Sequence, residues 1–376
     1  MKWSRGQEQA LAAVGDWLKS SDEQVLRLFG YAGTGKTTLA KHLAEGAGAV
    51  RFAAFTGKAA HVLTQKGCPA TTLHSLIYTP KGKSAERLRK LELAFAEMDL
   101  ESERELAMLM KRIEEEKAAL KSPTFVLNLD SPLLRTDLLI IDECSMVNEL
   151  MARDLLHFGC KVLVLGDPAQ LPPVYGTGYF TEHAPDVLLT EIHRQATGNP
   201  IIDLATAVRC GKKLALGNYG ESLITDELTP EMALGADQII VGLNTTRHAA
   251  NRRIRGLRGF EGPTPVVGER LVCLRNDAEV GLLNGSLWNV DEVADDAGDP
   301  ISITVSSEDD KYRQNVWAHR ALFGGGEVDW CMRRDAQEFD FGYALTCHKC
   351  QGSEWDDVLV IDESEFFRQN ARRHLY

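Results

Sequence analysis

Gly30-Tyr31-Ala32-Gly33-Thr34-Gly35-Lys36-Thr37-Thr38 fits the pattern G-x-x-x-x-G-K-[ST]. Val25-Leu26-Arg27-Leu28-Phe29 before it reads as a short buried strand, and Leu39 to Ala47 after it reads as a helix. Strand, glycine loop and helix form the setting in which this loop wraps a phosphate chain. Glycines let the backbone turn so that its N–H groups face the phosphates, and the helix N-terminus adds partial positive charge. The expected phosphate-binding set is Gly30, Gly33, Thr34, Gly35, Lys36, Thr37 and Thr38. Lys36 should reach the β- and γ-phosphates, and Thr37 should offer its hydroxyl to Mg²⁺.

The second signature lies about a hundred residues on. Asp137-Leu138-Leu139-Ile140-Ile141-Asp142-Glu143 is an apolar strand that ends in two acids. Such a strand carries Asp142 toward the metal and leaves Glu143 to polarise an attacking water as general base. Lys161 to Gly166 is another buried strand, running into Asp167-Pro168-Ala169-Gln170-Leu171-Pro172-Pro173. The prolines restrict this loop and make Gln170 a candidate sensor of the γ-phosphate. Leu188-Leu189-Thr190-Glu191-Ile192-His193-Arg194 ends a strand on an arginine, a residue type that stabilises charge in phosphoryl transfer.

At 376 residues, 44% hydrophobic and 26% charged, the chain can build two or more cored domains. It contains no apolar run long enough to span a bilayer, and Met1 to Gly6 lacks the apolar core of a signal peptide. A cytoplasmic protein with no membrane partner is therefore expected. The net charge of −12 argues against a surface that coats nucleic acid non-specifically, yet it permits a local basic groove. The eight cysteines fall mostly inside apolar runs and read as reduced core residues. Cys347-His348-Lys349-Cys350 is a lone C-x-x-C, which without a second pair does not make a zinc site.

Ser4 is a plausible N-cap for a helix presenting Ala10, Val14, Trp17 and Leu18 on one face. Gln7, just upstream of the glycine loop, could bond adenine through its amide or stand as solvated surface. Val50 to Phe55 reads as a strand opening into Thr56-Gly57-Lys58-Ala59-Ala60, followed by Thr71-Thr72-Leu73-His74-Ser75-Leu76. Open parallel sheets place ligands at such strand ends. Lys58, Thr72 and His74 could meet phosphates or sugars, or serve as ordinary loop and cap residues. Residues 80–122 carry charges of both signs with apolar residues at helical spacing, as in a self-packed helical insertion with a break at 99–102. Arg247, Arg252, Arg253, Arg255 and Arg258 cluster on an expected helix: either a nucleic-acid surface or a helix salt-bridged to acidic neighbours. Residues 265–330 read as β-rich, divided by Asn284-Gly285 and a turn over 295–300.

Taken in order, these residues resemble the superfamily 1B DNA helicases, the RecD-like and Dda-like group. Gln7 falls at the Q-motif, GYAGTGKTT is motif I, FTGKAA is motif Ia with TTLHSL after it, and IIDECSMV is motif II. GDPAQLPPV is motif III, LTEIHRQ is motif IV, and YALTCHKCQGSEW looks like motif V.

The resemblance covers nearly the whole chain and implies an α/β fold of two RecA-like P-loop NTPase domains. Domain 1A would take 1–79 and 123–195, a helical 1B insertion 80–122, domain 2A 196–264 and 335–376, and an SH3-like β-barrel 2B 265–334. It implies ATP and Mg²⁺ as cofactors, and single-stranded DNA and duplex junctions as partners, in a bacterial or phage-infected cell. Movement along the strand would run 5′ to 3′. Catalysis would rest on Lys36, Glu143, Gln170 and Arg194, the last as an arginine finger. Thr37 and Asp142 would serve the metal, and Gln7, Gly352 and Glu354 the nucleoside. DNA would meet Thr56, Lys58, Thr72, His74, Thr346, His348 and Lys349. Cys350 stands where the motif more often has serine.

Relatives continue past a segment like Arg373-His374-Leu375-Tyr376 into motif VI, whose arginine is a second γ-phosphate contact. Loss of such a cation would cost about 10³-fold in hydrolysis. On this expectation the sequence is a truncated or split product, or takes that arginine from another chain, or acts as a nucleotide-dependent DNA-binding module with impaired turnover.

Overall fold

The computed structural model describes residues 2–80, 85–96, 108–114, 125–173, 177–192, 198–277, 279–294, 298–326, 328 and 336–376. Its first half is built on six parallel strands. They are β1 (Val25–Gly30), β2 (Val50–Ala54), β3 (Ala70–Thr72), β6 (Leu138–Asp142), β7 (Lys161–Gly166) and β8 (Val187–Leu189), in the order β3-β2-β6-β7-β1-β8. Between β3 and β6 the antiparallel pair β4 (Tyr78–Pro80) and β5 (Phe125–Leu127) stands apart.

A parallel sheet is covered on both faces, so its strands are continuously apolar rather than alternating. Leu138, Leu139, Ile140 and Ile141 are all fully buried, two on each face. One face packs against α1 (Arg5–Ser20), α2 (Lys36–Glu45) and α3 (Gly57–Gln65) through Ala10, Val14, Leu39 and Leu63. The other packs against α4 (Leu73–Ile77), the helix Glu149–Leu156 and Phe180.

Ser4 starts α1 with a reciprocal cap. Its hydroxyl accepts from Gln7 N at 3.4 Å, while Ser4 N donates to Gln7 Oε1 at 3.1 Å. The α1 face is Ala10, Val14 and Trp17, with Leu18 packed at its margin.

Within 80–122 the described helices are α5 (Ala85–Ala96) and residues 108–114, where Ile113 is buried while Met108 and Met110 are exposed. The expected break at 99–102 lies outside the described residues.

The second half begins with a short hairpin, β9 (Gly217–Tyr219) and β10 (Ser222–Ile224). Then β11 (Gln238–Val241) forms the centre of a three-stranded parallel sheet, between β17 (Ala344–Thr346) and β18 (Val358–Val360). The remaining strands, β12 (Arg270–Cys273), β13 (Leu287–Val293), β14 (Ile301–Ser307), β15 (Arg313–Ala318) and β16 (Phe339–Phe341), make an antiparallel sheet in the order β15-β14-β13-β12-β16. Its core is Trp288, Val290, Ile301, Ile303, Val305 and Val316. The sheet reaches past residue 334 to recruit β16. A single bridge between Ala318 and Gln337 ties its two ends together.

The arginine cluster divides. On the helix Asn244–Leu257, Arg247 and Arg255 are buried in ion pairs with Asp340 and Glu269. A helix packed against two sheets must aim some of its long residues inward, and there each guanidinium finds a carboxylate. Arg252 and Arg253 remain exposed. No helix among the described residues is long and apolar enough to cross a membrane.

Candidate nucleotide site and nucleic-acid cleft

The glycine loop joins β1 to α2 and takes a form that only glycine supports easily. Gly33 and Gly35 have φ of +76° and +78°. At Gly30 a Cβ would lie 2.5 Å from Thr34 Oγ1 and 2.9 Å from Leu189 Cβ. Lys36 folds back on the loop. Its Nζ donates to Gly30 O at 2.6 Å and to Tyr31 O at 3.2 Å. Gln7 is buried and its Nε2 donates to Thr34 O at 3.1 Å, so one amide links the α1 cap to the loop. Thr38 is exposed in the first turn of α2.

The neighbouring strand β6 brings its acids to the same place. Thr37 Oγ1 donates to Asp142 Oδ2 at 3.1 Å, and Glu143 N donates to Asp142 Oδ1 at 2.9 Å. Glu143 has φ of +53°, a left-handed conformation that a non-glycine residue adopts at a cost. Burial pushes its carboxyl up to about 7, and the Asp142 charge pushes the same way; the Lys36 charge and a hydrogen bond with Gln170 oppose them. Gln170 sits on the loop after β7, its N–H donating to Asp167 O at 3.2 Å. Gln170 Oε1 is buried, and among the described residues no donor reaches it. A buried amide oxygen with no donor is costly, so this atom is poised to accept from a bound group. Arg194 lies outside the described residues.

Residues outside the expected set also border the site. Asp167 is buried and accepts from the Tyr376 hydroxyl at 2.7 Å; that hydroxyl in turn accepts from Ala32 N at 3.4 Å. Asp167 follows β7 as Asp142 ends β6, which was a readable signal. Tyr376 is 344 residues from Ala32 and carried none.

The other expected residues lie around the ends of β2, β3 and β17. Thr56 caps α3, accepting from Ala59 N at 3.1 Å, and Thr72 caps α4, accepting from Ser75 N at 3.2 Å. The His74 ring meets Phe125 edge-on with centroids 4.2 Å apart, and burial holds its pKa down. Thr346 is buried at the end of β17. Burial also lowers His348 and Lys349, whose Nζ donates to Asn284 Oδ1 at 3.3 Å. A Cβ on Gly352 would lie 3.0 Å from Ala59 Cβ, so the 346–352 segment abuts the start of α3. Lys58 there pairs with Asp309, from the turn between β14 and β15. Glu354 is exposed and pairs with Lys66 at 2.7 Å, beyond α3, rather than reaching the glycine loop. Lys36, Thr37, Asp142, Glu143 and Gln170 thus gather at the ends of β1, β6 and β7, Lys58, Gly352 and Glu354 lie where the two halves meet, and Thr72 and His74 make their contacts within the first half.

A family model described as an AAA domain matches residues 2–224, more than half of the chain, and one described as a UvrD-like helicase C-terminal domain matches residues 341–376. The chain is 28% identical over 413 residues to the ATP-dependent RecD2 DNA helicase of Deinococcus radiodurans, covering 100% of this chain and 48% of that protein. It is 26% identical over 281 residues to the RecBCD enzyme subunit RecD of Mycobacterium tuberculosis, covering 64% of this chain and 47% of that one. The chain thus spans about half the length of these curated relatives. Among solved structures it resembles Bacteroides Pif1 bound to single-stranded DNA, with a TM-score of 0.55 and 21% identity over 96% of this chain and 87% of that one. It also resembles Pif1 helicase from Bacteroides in complex with ADP-AlF3 and single-stranded DNA, with a TM-score of 0.56 and 20% identity over 100% and 91%. At these identities the structures speak for the fold, and the family rests on the sequence matches: the chain belongs to the AAA domain family.

Proposed function

We propose that this chain is an ATP-dependent motor that moves along single-stranded DNA, 5′ to 3′, and opens duplex junctions. The reading is carried by one observation: Lys36, Thr37, Asp142, Glu143 and Gln170 converge, and Gln170 keeps a buried acceptor that no donor among the described residues reaches. The residues fit ATP and Mg²⁺. Lys36 is curled onto carbonyls that a phosphate would free it from, and Thr37 and Asp142 offer two hard oxygens side by side. When bound, Mg²⁺ neutralises charge on the β- and γ-phosphates.

In this reading each residue takes one role. Lys36 binds the terminal phosphates, and Thr37 and Asp142 hold the metal. Glu143 takes a proton from the attacking water, which Gln170 Oε1 helps orient. Arg194 serves as the arginine finger. Gln7, which braces the loop at Thr34, and Gly352 with Glu354 are assigned to the nucleoside end. Thr56, Lys58, Thr72, His74, Thr346, His348 and Lys349 are assigned to the strand. RecA-like domains 1A and 2A, a helical 1B and a β-rich 2B supply the frame. Closure on ATP and opening after hydrolysis would step the strand through the cleft.

ATP hydrolysis by the chain, with and without single-stranded DNA, tests this beside Lys36→Ala. Turnover that rises with DNA and vanishes in Lys36→Ala is expected. DNA-independent or absent turnover overturns the motor reading. Forked substrates with a single 5′ or 3′ tail then test polarity, and unwinding of the 5′-tailed fork is expected.

A further inference from the structure

The helix Pro200–Arg209 follows β8 and ends beside the glycine loop. Arg209 lays its guanidinium on the ring of Tyr31, 3.5 Å from the centroid. Its Nε is buried, and among the described residues neither a hydrogen-bond acceptor nor a carboxylate pairs with it. With Tyr31, Ala32, Thr190 and Tyr376 it lines a small pocket at the rim of the loop. Guanidinium is a fork of five donors and does not lose its proton. A ring face attracts the charge but accepts no hydrogen bond from Nε. The pocket therefore presents a fixed cation with a buried donor still to be satisfied, which is the chemistry of an anion site.

The position identifies that anion. In a glycine loop of this kind the lysine reaches the β- and γ-phosphates. Here Lys36 Nζ rests on the carbonyls of Gly30 and Tyr31, so the Tyr31 side of the loop is the terminal-phosphate end. Arg209 stands at that end. So does Tyr376, whose hydroxyl touches the Ala32 N–H that would otherwise face a phosphate oxygen.

We propose that Arg209 is a further ligand of the ATP γ-phosphate, held at the rim of the loop by its stacking on Tyr31. In this role it distinguishes ATP from ADP and carries that distinction into the helix Pro200–Arg209, which packs against residues 371–375. The proposal rests on the reading of the glycine loop as an ATP site.

The test is equilibrium binding to the full chain of a non-hydrolysable ATP analogue and of fluorescent ADP, each with Mg²⁺. Arg209→Ala should weaken the analogue about 10- to 100-fold, the worth of one charge-assisted hydrogen bond, and change ADP affinity less than about twofold. Arg209→Lys should recover part of the loss. Arg209→Gln fills the pocket without charge and should lose the analogue as alanine does; full recovery by glutamine would mean that side-chain volume matters and charge does not, and overturns the proposal. An unchanged ratio of analogue to ADP affinity, or an equal loss of both, also overturns it. Failure of the wild type to bind either nucleotide overturns the ATP-site reading itself. Because only binding is measured, the result bears on Arg209 even in a chain that does not turn over.

Discussion

Thr37 Oγ1 and Asp142 Oδ2 are 3.1 Å apart, and the hydrogen bond between them ties the start of α2 to the end of β6. Under the proposed function these two oxygens would hold Mg²⁺, so exchange of either should act on metal-dependent binding alone. Asp142→Asn keeps the hydrogen bond but removes the charge. Nucleotide affinity without Mg²⁺ should stay close to wild type, while the gain from adding Mg²⁺ is largely lost. Titrations with and without the metal read both quantities. An undiminished Mg²⁺ gain would remove Asp142 from the metal site.

Glu143 couples stability to pH. Its carboxyl is pushed up from 4.5 to about 7 by burial first and the Asp142 charge second. A folded pKa above the unfolded one means the fold favours the protonated form. That contribution is complete below about 4.5 and is lost as pH rises through about 7. Glu143→Gln, which cannot ionise, should therefore gain in melting temperature relative to wild type between pH 5 and pH 8. A difference that stays flat across this window would contradict the buried carboxyl. In the same variant ATP binding should persist while turnover falls by about 10²- to 10⁴-fold, the usual loss of a general base.

Local chemistry made the first half readable. The glycine spacing at 30–36 and the aliphatic runs before Asp142 and Asp167 are patterns that short-range geometry imposes. Five of the six strands of the parallel sheet carry such runs or end in such loops; β3 (Ala70–Thr72), read as a loop, is the exception. What the sequence hid depends on partners far along the chain. Gln7 was an adenine candidate by position, yet its Nε2 is bonded to Thr34 O. Thr56 and Thr72 are engaged close by, each hydroxyl accepting from the helix N–H three residues on, the cap role the sequence also allowed for Thr72. Arg247 and Arg255 looked basic because Asp340 and Glu269 are 93 and 14 residues away. Charge counted along a helix says nothing about which residues a tertiary contact neutralises. Helical periodicity was legible at 85–96, whereas recruitment of β16 into the antiparallel sheet depends on a pairing with β12 that no periodicity encodes.

The Arg255–Glu269 pair is a buried, bidentate charge contact in the second half. Arg255 Nε donates to Glu269 Oε1 at 2.6 Å and its Nη2 to Oε2 at 2.9 Å, while Nη1 donates to Gly262 O at 2.6 Å. Glu269 is fully buried. Arg255→Ala would leave that carboxylate without its cation, at a cost of about 3–5 kcal/mol. Denaturant unfolding followed by tryptophan emission is suited to the measurement, because Trp288 lies in the adjoining core. The change should fall on that transition and leave nucleotide binding at the glycine loop intact. A loss under about 1 kcal/mol would mean the pair is solvated and of the ordinary surface kind.

Lys58 and Asp309 face each other across the two halves, with side-chain exposures of 12% and 28%. Lys349 is likewise engaged by Asn284, and Lys66 by Glu354. A strand phosphate approaching Lys58 must therefore displace a carboxylate that already occupies it. Asp309→Asn removes the competing charge and keeps the shape of the turn. Affinity for single-stranded DNA should rise about two- to fivefold, the worth of a part-exposed ion pair. Lys58→Ala should weaken binding, and Asp309→Asn should then have no further effect, since the two act on one contact. Fluorescence anisotropy with a labelled oligonucleotide at fixed salt reads all three variants. If Asp309→Asn tightens binding equally with and without Lys58, the gain comes from the general field of an acidic chain and not from competition at this lysine.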